Sequence, residues 1–123
     1  MGERNPGAVR ELRMSVEHRP GAVLVRLSGS ATMEHAERLR ERMLGLPCGP
    51  QARIVLDLSD LDFVNSVGLG AFVTAHVRCK RQGGSLRVVD PPPAIRELLD
   101  LTRLTALFEV YPTVEEALAG GGT

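Results

Sequence analysis

The chain has 123 residues, enough for one domain whose hydrophobic core needs no metal or disulfide staples. Lys plus Arg and Asp plus Glu number 15 each, so the basic excess that marks a nucleic-acid binder is missing. No apolar run approaches the roughly 18 residues of a membrane span, Met1–Pro6 has no signal-peptide apolar region, and with no Trp and one Tyr base-stacking and aromatic-cage functions are disfavoured.

Residues 1–11 are polar, contain Gly and Pro and show no period, which predicts a loose tail. Arg13–Glu17 alternates weakly, as an edge strand does. Pro20-Gly21 is a turn signal, and Ala22–Ser28 is a β-branched, mostly apolar run. Together they predict an N-terminal hairpin. Gly29–Thr32 is expected to break the strand, with Thr32 as N-cap of a helix starting at Met33. Ala36, Leu39, Met43, Leu44 and Leu46 recur on one side of that helix, and Glu34, Glu37, Arg38, Arg40, Glu41 and Arg42 occupy the other. Glu34 and Arg38 have the spacing of a favourable i,i+4 pair. Pro47-Cys48-Gly49-Pro50 ends the helix.

Ala52–Leu58 is almost wholly apolar, the pattern of a strand covered on both faces in a parallel sheet. The next stretch, through Gly70, predicts a loop and then a helix. Leu69, Phe72, Val73, His76 and Val77 fall on its apolar side, Arg78, Lys80 and Arg81 suit its C-terminus, and Gly83-Gly84 stops it. Ser85–Asp90 is the next strand, and Pro91–Pro93 launches a helix with Ile95, Leu98 and Leu99 as its stripe. A short last strand is expected around Phe108–Val110. Thr113 and Glu116 form a capping box for a terminal helix, and Gly120–Gly122 is expected to fray. The predicted order is β-β-α-β-α-β-α-β-α, an α/β domain over residues 12–119. Its sheet is mixed and mostly parallel, with one antiparallel N-terminal strand.

Ser66 is the residue to weigh. Asn65 or Ser66 caps a helix by ordinary preference. A serine at a helix start beyond the carboxyl end of a strand also stands at the rim where α/β sheets place their sites. A phosphate there would meet free backbone N–H groups and the positive end of the helix dipole. A partner docked over the rim would instead meet a group of about −2 charge. That makes a switch harmless to the fold and damaging to an interface.

Chemistry performed by Ser66 is poorly supported. Gly68-x-Gly70 lacks the third glycine of a dinucleotide loop, since position 73 is Val73, and no phosphate-binding GxxxxGK[ST] exists. A hydrolase elbow needs glycine where Val64 stands. His18, His35 and His76 show no placement for a general base, and no Cys/His metal spacing is present. Asp57, Asp60 and Asp62 are expected to form turns and caps, with a magnesium site as the alternative. Neither catalytic residues nor a cofactor or metal is assigned. Cys48 and Cys79 lie in no CxxC pair and are expected to be reduced, although spacing alone does not exclude a disulfide.

Leu56-Asp57-Leu58-Ser59 with Phe63-Val64-Asn65-Ser66-Val67-Gly68-Leu69-Gly70 resembles the signature of STAS domains, specifically bacterial anti-sigma factor antagonists. Leu27-Ser28-Gly29, Gly83–Leu86 and Leu104 with Phe108–Leu118 extend the resemblance over about residues 12–119. The resemblance implies a mixed sheet backed by helices on one side. It implies that Ser66 is the phosphate acceptor of a cognate anti-sigma factor serine kinase. The unphosphorylated form would bind that kinase and release sigma factor; a phosphatase would restore it. The partner surface implied is Thr32, Asn65, Ser66, Val67, Gly68 and Leu69, on a cytoplasmic monomer or weak dimer that contacts neither nucleic acid nor membrane. Thr32 and Asn65 stand where the family usually carries acids, and Val67 leaves Ser66 the only acceptor in the loop. Those two departures support the alternative, a STAS scaffold without a phospho-switch in a signalling assembly or transporter complex.

Overall fold

Three crossovers of the same hand decide the architecture. The computed structural model describes residues 10–50 and 52–119; the expected C-terminal tail and positions 1–9 of the expected N-terminal one lie outside the described residues. The elements are β1 (Arg13–Arg19), β2 (Ala22–Ala31), α1 (Met33–Leu44), β3 (Arg53–Val64), α2 (Ser66–Arg81), β4 (Leu86–Val89), α3 (Pro93–Leu101), a 3₁₀ turn (Leu104–Ala106), β5 (Glu109–Tyr111) and α4 (Val114–Ala119). The five strands stand in the order β1-β2-β3-β4-β5. β1 runs antiparallel to β2, closing the predicted hairpin with Arg19 opposite Ala22 and Gly21 in the left-handed region at φ 75°. β2, β3, β4 and β5 are mutually parallel. Each parallel step goes to the next strand through one helix, and right-handed crossovers stepping in one direction put their helices on one face.

That face carries the main core. Val23, Val25 and Leu27 of β2, Ile54, Leu56 and Leu58 of β3, and Leu86 and Val88 of β4 pack under Leu39, Met43, Phe72, Ala75, Ile95 and Leu99. α4 is not a crossover, and it packs on the opposite face. Ala117 covers Leu24, Val55 and Val89 there. The resemblance implied helices on one side only, so α4 is a correction. Its tether is a pair of charge-assisted hydrogen bonds. Arg87, 4% exposed, donates Nη1 to the Ala117 carbonyl at 2.7 Å, and Arg53 Nη2 donates to the Leu118 carbonyl at 3.1 Å. Guanidinium groups at a helix C-terminus satisfy orphan carbonyls and complement the dipole. Thr113 caps the other end, accepting from Glu116 N–H at 3.1 Å while its hydroxyl donates to Glu116 Oε1 at 3.4 Å.

Both strands entering the predicted site run longer than their patterns suggest. β2 continues through Gly29, Ser30 and Ala31, and β3 continues to Val64. The reason is bulging. Arg26 pairs with Asp57 but Ser28 with Asp60, and Gly29 pairs with Leu61 but Ser30 with Phe63, so β3 holds an extra residue twice. Leu58, Leu61 and Val64 consequently all reach the core at three-residue spacing, which breaks the alternation a strand normally displays. Asp57, Asp60 and Asp62 therefore lie in a strand, not in turns. Gly29, at φ 87°, takes the left-handed conformation at a shift, and Glu11 bridges Ser30 beside it. Any Cβ at Gly29 would collide with the Glu11 carbonyl.

Smaller differences follow from packing. Val77 is exposed rather than core. The ion pair on α1 is Arg40–Glu37 at 3.7 Å instead of Glu34–Arg38, an exposed pair of little energetic weight. β5 starts one residue later than expected because Phe108 turns into the core. His76 is buried at 7% exposure and meets Phe108 edge-on, ring centroids 5.5 Å apart.

Burial, then the Lys80 charge, lowers the His76 pKa from its ordinary value, outweighing Glu109. The unfolded chain therefore binds a proton more readily than the folded one. This residue's contribution is fully present above about pH 6.5 and is lost as pH falls through the folded-state value. Urea midpoints at pH 7.5 and 5.5 are expected to differ more for the wild type than for His76→Gln. Equal differences would remove His76 as the cause.

Candidate functional site

β2 and β3 end side by side, with Ala31 opposite Val64, and each runs directly into a helix. The Asn65 N–H donates to the Ala31 carbonyl at 3.1 Å and ties the two exits together. Two helix N-termini therefore stand together at the carboxyl edge of the sheet, α1 behind Thr32 and α2 behind Asn65.

Asn65 is the working cap. Its backbone is extended, and Oδ1 accepts from Gly68 N–H at 3.0 Å. Its own carbonyl accepts from Leu69 N–H at 3.0 Å. Thr32 occupies the N-cap position of α1, but its side chain makes no capping bond. Its carbonyl receives His35 and Ala36 N–H at 3.0 and 2.8 Å. Asn65→Ala is expected to lower stability by about 1 kcal/mol, and Thr32→Ala by less. Denaturant midpoints check both, and a larger loss at Thr32 would contradict the assignment of the caps.

Ser66 is the first residue of α2 and is exposed. Helical geometry leaves its N–H and that of Val67 without intrahelical partners. No acidic residue stands in the first turn of α2. The carboxylates upstream are already engaged. Arg10 Nε donates to Asp62 Oδ2 at 2.6 Å, and Arg10 Nη2 reaches Asp60 Oδ1 at 3.2 Å. The Arg10 Nε bond to Asp62 holds the Asp62 carboxyl below the usual carboxylate range. Arg10 and Glu11, assigned to the tail by pattern, thus lie against β2 and β3, with the Arg10 carbonyl accepting from Ser30 N–H at 3.1 Å.

The predicted site residues divide into two layers. Ser66 is exposed, and Thr32, Asn65 and Val67 are half-buried at the surface. Gly68 and Leu69 are buried, so they set where the helix sits. A Cβ built on Gly68 would lie 2.5 Å from Val64 Cγ2, 3.6 Å from Leu39 Cδ2 and 3.7 Å from Ala31 Cβ. Its bareness is what lets α2 enter against β2 and α1. Gly70 is exposed with nothing near it.

Two neighbours escaped the sequence reading. Met33 is 78% exposed and Phe63 48% exposed. Each sits beside a cap, Met33 one position after Thr32 and Phe63 two before Asn65. An apolar first helical residue outside the α1 stripe was the available signal for Met33. None existed for Phe63, whose outward direction depends on the bulge. The rim thus presents the Ser66 hydroxyl with the unpaired N–H groups of Ser66 and Val67, beside Thr32 and the apolar side chains of Met33 and Phe63. His76, ten residues along α2, is about 15 Å from Ser66 along the helix axis, too far to act as its base. Among the described residues, no three His, Cys, Asp or Glu side chains gather to hold a metal, and no helix is long and apolar enough to cross a membrane.

A five-stranded mixed sheet with two helix starts at its carboxyl edge defines a binding domain of the STAS type. The STAS domain family matches residues 13–117, and the chain belongs to that family. An anti-sigma F factor antagonist from Paenibacillus polymyxa is 32% identical over 87% of this chain and 92% of its own length. The crystal structure of an anti-sigma factor antagonist from Mycobacterium paratuberculosis superposes with TM-score 0.75 at 30% identity, covering 89% of this chain and 92% of that one. The Bacillus cell fate determinant SpoIIAA in its phosphorylated form shares the fold, with TM-score 0.65 at 20% identity over 87% of this chain and 97% of that one.

Proposed function

We propose that this chain is an anti-sigma factor antagonist that binds an anti-sigma factor serine kinase when Ser66 is free and releases it when Ser66 carries phosphate. The observation that carries the reading is the exposed Ser66 hydroxyl at the start of α2, beside the Asn65 cap. Phosphate on that hydroxyl would lie at the positive end of a helix of 16 residues, where anions are favoured. Asn65 in place of an acid removes a negative charge beside the acceptor and keeps the cap. Met33 and Phe63 supply apolar contact area around a polar centre, the arrangement of a protein-binding patch. The named relative's activity and a phosphorylated form of the same fold support the assignment. Ser66 is the substrate of chemistry done by the partner, and the domain itself is a binding protein.

The test is incubation with a candidate kinase and ATP, followed by phosphosite mapping. One phosphate on Ser66 is expected, with none on Ser66→Ala. Stoichiometric phosphate on Ser66→Ala would overturn the site.

A further inference from the structure

Cys79 lies near the far end of α2, and the loop after α1 brings Cys48 against Gln82, three residues beyond it. The loop after α1 is laid along the α2 C-terminus by contacts on both sides of each thiol. Arg78 Nη1 donates to the Leu46 carbonyl at 2.8 Å, and Cys48 Sγ donates to Gln82 Oε1 at 3.9 Å. A Cβ on Gly84 would collide with the Gly49 backbone, its N at 2.9 Å, and one on Gly83 would meet Pro50 Cγ at 3.1 Å. The turn is locked by Gly84 N–H to the Cys79 carbonyl at 2.7 Å and Gly83 N–H to the Lys80 carbonyl at 3.1 Å, the paired bonds of a Schellman ending. Cys79 is fully buried in the core, and Cys48 packs against that core from the half-exposed side.

We infer that Cys48 and Cys79 form an oxidisable dithiol that closes to an intramolecular disulfide, tying the α1–β3 loop to the end of α2. The oxidant is a hydroperoxide. The Cys48 thiolate attacks the peroxide oxygen, the O–O bond breaks, and Cys48 becomes a sulfenic acid as an alcohol or water leaves. Cys79 sulfur then attacks the Cys48 sulfur. The S–S bond forms, the S–O bond breaks, and water departs with the Cys79 proton. The order follows from access. Burial, then Cys48 itself, pushes the Cys79 thiol up to about 12, so Cys79 stays protonated and waits while half-exposed Cys48 meets the oxidant. Gln82 must give up its bond to Cys48. Cys79 lies thirteen residues along α2 from Ser66, about 20 Å, so the cross-link leaves the Ser66 rim in place.

The full chain is treated with hydrogen peroxide, then assayed by thiol titration, intact mass and a non-reducing gel. Expected are no free thiols, a monomer lighter by two hydrogens, reversal by dithiothreitol, and a melting temperature higher by about 5 °C. Cys48→Ser and Cys79→Ala should each keep one thiol and gain no such shift. Cys48→Ser, at a half-exposed loop position, decides the matter should the core variant fail to fold. Two thiols surviving peroxide, a disulfide-linked dimer, or accumulation of sulfinic acid in the wild type would overturn the inference.

Discussion

Ser66→Glu is expected to weaken capture of the proposed partner kinase by about 100-fold or more while leaving the melting temperature within a degree or two of wild type. The two halves of this result have different origins. A carboxylate at the first position of α2 meets the helix dipole and unpaired N–H groups, which stabilise it by about 0.3–1 kcal/mol. The fold therefore accepts the charge. An interface closed over the same rim must desolvate it, and an unpaired or like-facing charge in an interface costs several kcal/mol. Ser66→Ala should bind as wild type does, because the Asn65 cap at 3.0 Å from Gly68 N–H is untouched. Titration calorimetry of the three proteins against the kinase checks the set. Equal affinity of Ser66→Glu and wild type would favour the unswitched scaffold.

Gly68→Ala is expected to destabilise the domain by about 1–3 kcal/mol, the range for overpacking a close-packed site. The sign matters, because alanine in a helix normally gains up to about 1 kcal/mol over glycine. At Gly68 the clash wins: the added carbon would sit 2.5 Å from Val64 Cγ2 on a strand that cannot retreat from its pairing with Ala31. Gly70→Ala is the control. Nothing lies within 4 Å of a Cβ there, so the helix-propensity gain should appear unopposed. Adding Val64→Ala to Gly68→Ala should recover part of the loss, a coupling of about 0.5–3 kcal/mol typical of touching residues. Urea unfolding of the wild type, Gly68→Ala, Gly70→Ala, Val64→Ala and the double variant reads all three effects. Additive losses at Val64 and Gly68 would refute the contact.

The apolar patterns carried most of the architecture. β-branched runs bounded by turn residues, alternating with 3.6-period stripes, determined the element order and the mixed sheet. Pro20-Gly21, the Pro91–Pro93 launch and the Thr113–Glu116 box are local chemistry, and each lies where its residues require. Ser66 and Asn65 were legible for the same reason, since capping is a short-range interaction among neighbours in sequence.

What escaped was everything set by a second strand. β3 was expected to end at Leu58 because Ser59, Asp60 and Asp62 are poor strand formers and Leu58, Leu61 and Val64 break a two-residue alternation. They become strand residues only because β2 lies alongside and two bulges re-aim the chain. The same bulges turn Phe63 outward. The clasp of Arg10 on Asp60 and Asp62 spans some fifty residues of sequence, and α4 goes to the opposite face because Arg87 and Arg53 hold its carbonyls there. By itself the sequence determined the elements, the α/β class and the serine at the helix start. Tertiary structure alone decided the strand lengths, the side on which α4 packs, the approach of Cys48 to Cys79 and the apolar flanks of Ser66. These rest on contacts between residues far apart in the chain, and such contacts have no periodicity that a single strand or helix could display.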